Sequence, residues 1–339
     1  MMAKLLLAGL ACGLALRGGE CVRSHRSVAV RVISMSMSSI STQNGLLSKS
    51  NNHHKLPRIF VPSSAISIDR ELVLDSKTSH YLSNVMRIRD GERVRIFNNI
   101  LLKEFLCEVI SINKSNRNNV AVVLRPLEVL KDNSSKSTTN SIISYIAPIK
   151  RQKMKVLLEK MTECGVSRIV QVITQNTQAN NIMKTISTDN NNNDDDDNNN
   201  SDNNISRMII ESCEQCERLD IPILDFSSLK LSSLLSRFAE EKSDSGNNNV
   251  LFVCRERIAG GSPFWAALEG YIAPQSTRDI HFLIGPEGGF TREEYDLIDS
   301  RYSHVVKYVS LSSENVLRAE TAAIAAVGIA QQFLDYRRM

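Results

Sequence analysis

Twice near its carboxyl end the chain runs from an apolar strand through a short loop straight into a helix, and this repeated plan most narrows its fold. The first copy spans His281 to Glu294. An apolar strand meets Gly285, Pro286, Glu287, Gly288 and Gly289, and a helix opens at Thr291. Thr291 with Glu294 fits a capping box. The second copy spans Val309 to Ala322, with a helix from Ala319. In a parallel sheet both loops lie at the carboxyl ends of strands, where open α/β sheets take ligands. Glycines let backbone approach a ligand closely, and free amides at a helix start favour an anion. No Gly-Lys-Ser/Thr follows, which excludes a Walker phosphate loop, and the spacing is not the dinucleotide GxGxxG. Taken alone, the glycine turn reads more readily as a plain turn than as a ligand loop. Arg318 would bring a cation to the crevice, or pair with Glu314 or Glu320 on the surface.

The alternation of strand and helix begins at Ser141. Strands are expected at 142–147, 167–174, 250–254, 280–284 and 305–311. Helices are expected from Met154 to Cys164, stopped by Gly165, then over 206–218 and from Thr291 and Ala319. Strands alternating with helices imply a mostly parallel sheet. Upstream the rhythm is different. Short strands at 57–61, 92–99, 101–110 and 120–124, a turn at Asp90 and Gly91, and one short helix over 80–87 suggest a small barrel. The expected division is a barrel at 55–130, a polar linker at 131–140 and an α/β domain at 141–339. Residues 189–204 are all Asn or Asp except Ser201, so about 181–206 is expected to be a disordered surface insertion.

Composition limits the function classes. An apolar share of 42% excludes a wholly disordered chain. No run reaches the roughly 18 apolar residues of a membrane span, so no membrane partner is expected. Seven Cys without regular spacing make no disulfide framework. Cys213 and Cys216 form a CxxC with no second pair for a zinc site, and no metal is expected. The net charge of +4 is unevenly spread: +5 over residues 1–50, −5 over 181–206 and +5 over 55–131. A basic amino-terminal module suits a nucleic-acid partner or an ordinary solvated surface. Residues 1–54 read as a targeting presequence. Leu5 to Leu16 has the length of a signal core, and Val22 to Ser50 is Ser- and Arg-rich and poor in acid. A plastid reached through the secretory system would use both parts; a mitochondrial presequence is the rival, and plain secretion is third.

The two carboxyl-terminal segments together resemble the RsmE family of the SPOUT class, the ribosomal RNA small-subunit uridine-N3 methyltransferases. Lys150 to Met154, Lys160 to Val166, Glu211 to Arg218 with Pro222, and His80 to Arg87 with Gly91-Glu92 resemble further stretches of that family, over roughly residues 57–336. The resemblance implies a PUA-like RNA-gripping barrel followed by a trefoil-knotted SPOUT domain. It implies S-adenosylmethionine as cofactor, a homodimer, and N3 methylation of a uridine in 16S-type ribosomal RNA, here of an organelle. Ile284, Gly285, Pro286, Glu287, Gly288, Gly289, Val316, Leu317, Arg318 and Thr321 would bind the cofactor, and the loop after Thr174 would be a third wall. Arg318 is the candidate catalytic cation, Glu287 or Glu320 the candidate proton acceptor. Arg58, His80, Arg87, Lys150 and Arg151 would contact RNA.

The sequence departs from the family at three places, one of them the apolar replacement of a leucine by Cys164. No Arg follows Thr174, and Ser312, Ser313, Glu314 and Asn315 stand where the family has a Gly and an Arg. The lost Gly and Arg near Asn315 motivate the alternative of a catalytically silent RNA-binding or ribosome-assembly protein.

Overall fold

The computed structural model describes residues 53–116, 119–134, 140–181, 183, 200–245, 249–255, 262–272 and 278–339. Nearly all of the expected presequence, and the expected insertion from 184 to 199, lie outside the described residues.

The amino-terminal part is built from β1 (Arg58–Phe60), β2 (Leu72–Val73), helix α1 (Ser76–His80), β3 (Arg93–Asn98), β4 (Lys103–Asn116) and β5 (Asn119–Asp132). The sheet order is β1-β3-β4-β5-β2. Irregularities in the β4–β5 register, between Glu104/Phe105, Leu106/Cys107, Val109/Ser111 and Lys114/Asn116, bend this long pair around its own core of Val94, Ile96, Val122 and Leu124. The expected helix at 80–87 starts earlier, because Asp75 accepts from Thr78 N–H at 2.9 Å and caps α1. It continues as a π turn from Tyr81 to Val85. β5 runs through Asp132, two residues past the expected end of the barrel.

The second part contains β6 (Ile142–Ile146), α2 (Arg151–Glu163), β7 (Arg168–Ile173), α3 (Asn200–Gln215), β8 (Ile223–Lys230), α4 (Leu231–Ser245), β9 (Leu251–Cys254), β10 (Ser262–Pro263), α5 (Phe264–Tyr271), β11 (Ile280–Ile284), α6 (Arg292–Leu297), β12 (Val306–Ser310) and α7 (Ala319–Arg338). All seven strands are parallel, in the order β10-β12-β9-β11-β6-β7-β8. One face packs on α2, α3, α5 and α7 through residues such as Leu157, Ile209, Phe264 and Phe333. The other packs on α4 and α6 through Leu234, Phe238 and Leu297. Covering both faces is what a parallel sheet requires. β11 fills the slot between β9 and β6, and α7 turns back from β12 to lie against β6 and β11. Two expectations are corrected. The region 223–245, where no element is expected, forms β8 and α4, and α3 starts at Asn200, inside the expected insertion.

A buried ionic clamp joins the two parts. Arg58 and Glu104 pair at 3.1 Å with side chains only 3% and 4% exposed, and Arg95 reaches the other Glu104 oxygen at 3.0 Å. Arg58 also donates to the carbonyls of Cys213 and Arg218, at 2.8 Å each, satisfying acceptors freed where α3 ends. Its guanidinium lies 3.8 Å from the centre of the Phe97 ring. Arg58 was expected to contact RNA; it is corrected to a structural residue, since it is buried with its donors in use. Arg58→Ala would strip the carbonyls and leave Glu104 with one partner. We expect a loss of about 3–5 kcal/mol of stability, measured by urea unfolding.

Candidate active site

Three strand ends converge at one edge of the sheet: β9, β11 and β12. The loops leaving them enclose a cleft of about 850 Å³, inside the size range of small-molecule sites. Ile284, Gly285, Pro286, Glu287, Gly288, Gly289, Val316, Leu317 and Arg318 all line it, as expected. Thr321 does not. Helix α7 begins at Ala319, so the residues one turn apart that face the cleft are Ala319 and Ala322, and Thr321 is exposed. The expected third wall is also corrected. Cys254, the last residue of β9, and Arg255 after it supply it, while the loop after Thr174 braces the glycine loop from outside. Asn176 donates to the carbonyls of Gly288 and Gly289, at 3.2 and 3.0 Å. The signal for Cys254 and Arg255 was present, since a strand ending at 254 in a parallel sheet must deliver its loop to this edge.

The glycine loop is held by hydrogen bonds and by steric limits. The capping box forms: Thr291 Oγ1 accepts from Glu294 N–H at 3.3 Å, and Glu294 accepts from Thr291 N–H at 2.9 Å. The second oxygen of buried Glu294 accepts from Gln175 N–H at 2.8 Å. Gly289 has φ +69°, a region where a side chain is strained. A Cβ on Gly285 would stand 2.9 Å from the buried ring of Phe290.

Charge is distributed unequally in the cleft. Lys153, from the first turn of α2, bridges Glu287 at 2.6 Å and Glu320 at 3.4 Å, tying the glycine loop to the start of α7. The Glu287 carboxylate holds the Lys153 ammonium above the ordinary lysine range. Glu320 keeps its other oxygen buried without a partner among the described residues. Arg318, the residue before α7, has no capping hydrogen bond and, among the described residues, no carboxylate partner, so the surface pairing with Glu314 or Glu320 is not formed. Lys150 and Arg151 are exposed at the amino end of α2, where the helix dipole disfavours cations. His80 and Arg87 are also exposed, and His80 borders a second groove, between α1 and α3, with Tyr81 and Val85.

The sequence over 136–331 matches the family of RNA methyltransferase domains, and 74–116 matches the RNA methyltransferase PUA domain. The chain belongs to the RNA methyltransferase family, with a PUA domain ahead of the methyltransferase domain. It is 29% identical over 273 residues to ribosomal RNA small subunit methyltransferase E of Rickettsia conorii, covering 80% of this chain and 94% of the relative. A protein of the same name from Buchnera aphidicola of Schizaphis graminum is 22% identical over 280 residues, covering 80% and 94%. A Legionella pneumophila protein described as a methyltransferase, solved with bound S-adenosylmethionine, superposes with a TM-score of 0.60 at 26% identity, covering 82% of this chain and 98% of that one. These findings bear out the expected family and fold.

Gly285→Ala would drive a methyl group into the Phe290 ring. We expect a cost of about 1–3 kcal/mol in thermal or urea unfolding and weaker ligand binding in the cleft.

Proposed function

We propose that the protein transfers a methyl group from S-adenosylmethionine to N3 of one uridine in small-subunit ribosomal RNA of an organelle. The observation that carries this reading is the meeting of the glycine loop and the Arg318 loop in one cleft of ligand size. The residues present suit the cofactor. Backbone of the glycine loop and apolar Leu311, Leu317, Ala319 and Ala322 form a surface for an adenosine group, with cations beside it for an acid. When bound, the cofactor supplies an electrophilic methyl on a sulfonium. The fold holds the two loops in register, and alignment of reactants is worth up to about 7–11 kcal/mol of a barrier.

N3 of uracil carries a proton that must leave as the nitrogen becomes nucleophilic. Arg318 has no carboxylate partner among the described residues, and it opposes the negative charge that develops on the uracil oxygens. Glu287 lines the cleft and has one oxygen outside its pair with Lys153, so it is the carboxylate placed to take the proton. Glu320 lies behind Lys153 and acts as a brace. Lys150 and Arg151, with His80 and Arg87 on the barrel part, serve the RNA, and the working unit is a homodimer. Sedimentation at the monomer mass would remove the dimer. The basic, acid-poor stretch before residue 50 motivates delivery to a plastid, with the mitochondrion as rival.

Two measurements test this reading. Calorimetry should show binding of S-adenosylmethionine, and nucleoside mass analysis of organellar ribosomal RNA from cells lacking the protein should show a missing 3-methyluridine. Absence of binding at millimolar cofactor would leave only a silent RNA-binding protein. Arg318→Ala should fold normally and turn over at least tenfold more slowly; unchanged turnover would remove that role.

A further inference from the structure

Arg255 lies in the cleft, yet neither the sequence resemblance nor the proposed chemistry gives it a task. It follows β9, the strand between β12 and β11, so it emerges at the centre of the crevice floor between the two ligand loops. Its backbone N–H donates to Val309 O at 3.0 Å, which anchors its start to the neighbouring strand. Its guanidinium carbon lies 4.1 Å from the Tyr295 ring centre and 5.1 Å from that of Tyr308. Those rings are themselves fixed. They meet edge to face at 6.0 Å, Tyr295 packs on Phe290 at 5.7 Å, and Tyr308 donates to Asp299 at 2.8 Å.

Aromatic rings satisfy the face of a guanidinium but not its N–H donors. Among the described residues no carboxylate or carbonyl takes a hydrogen bond from the Arg255 side chain. The residue is half-buried, so its donors are partly shielded from water as well. A charge held in place, half-buried and without a counter-ion among the described residues is poised for an anion. The rigid fork of Arg matches a carboxylate with two parallel hydrogen bonds.

We propose that Arg255 is the carboxylate-binding residue of this cleft, taking the methionyl carboxylate of S-adenosylmethionine. The proposal rests on the cofactor reading given above. An RNA phosphate is the other anion within the same chemistry. The exposed cations Arg318, Lys150 and Arg151 stand where a polymer can reach them, whereas Arg255 sits on the floor, where a small molecule fits.

The test compares S-adenosylmethionine with decarboxylated S-adenosylmethionine, which keeps the adenosine, sulfonium and amine and lacks only the acid. Calorimetry is run on the full chain, Arg255→Ala and Arg255→Lys, each checked for folding by thermal melting. The unsubstituted chain should bind the decarboxylated compound at least tenfold more weakly. Arg255→Ala should lose at least tenfold for the intact cofactor and change little for the decarboxylated one. Arg255→Lys keeps the charge without the fork and should fall between, and it carries the comparison if the alanine variant does not fold. Equal losses for both compounds would make Arg255 merely structural and overturn the proposal. Unchanged cofactor binding with weakened binding of a ribosomal RNA fragment would assign the anion to phosphate and overturn it too. If the unsubstituted chain binds neither compound, the cofactor reading itself fails.

Discussion

β11 is buried at every residue from Ile280 to Ile284 and hydrogen-bonded along both edges, to β9 and to β6, and the cleft exists because this strand ends where it does. A strand so enclosed cannot shift its register without exposing apolar side chains and breaking two ladders at once. Its last residue therefore delivers Gly285 to a fixed height. Phe290 then folds back over Gly285, and Asn176 and Gln175 hold the loop from the neighbouring side. The glycine loop is thus set by the sheet beneath it, and the other two loops are measured against it.

Electrostatics in the cleft divide into committed and uncommitted charge. Lys153 is about one-third exposed and holds two carboxylates. Such a pair adds roughly 0–1 kcal/mol to stability, so its consequence is geometric: it links the glycine loop to helix α7. Among the described residues Arg255 and Arg318 have no such partner, and they line the cleft. The opposite arrangement holds at the junction of the two parts. There Arg58, Arg95 and Glu104 are buried and paired with one another, and that network joins rather than binds. Burial together with partners separates the two kinds of arginine, and residue type does not.

Much of this was legible in the chain. Apolar runs bounded by Gly and a capping box named β11 and α6, and the break in rhythm at Ser141 separated the two parts. The elements β8 and α4 carry their own, weaker signal. Leu231, Leu234, Leu235 and Phe238 are spaced for one helical face, and the polar strand Ile223–Lys230 before them hid the alternation. The exact start of α7 was less accessible. It decides whether Thr321 or Ala322 faces the cleft, and a single-residue shift turns a helix by about 100°.

The sequence by itself determined the local grammar: which segments extend, which coil, where glycine permits a turn, and which paired motifs resemble an RNA methyltransferase. Neighbourhood was decided only by the tertiary structure. Arg58 reads as a surface cation in a basic module, and it is buried because α3, about 150 residues later, brings its carbonyl ends to it. Arg255 reads as one charge in an unremarked loop, and it lines the cleft because β9 lies between β12 and β11. The physical reason is that periodicity reports only which face of an element is apolar. Strand order, which sets who meets whom, comes from burying all those faces at once.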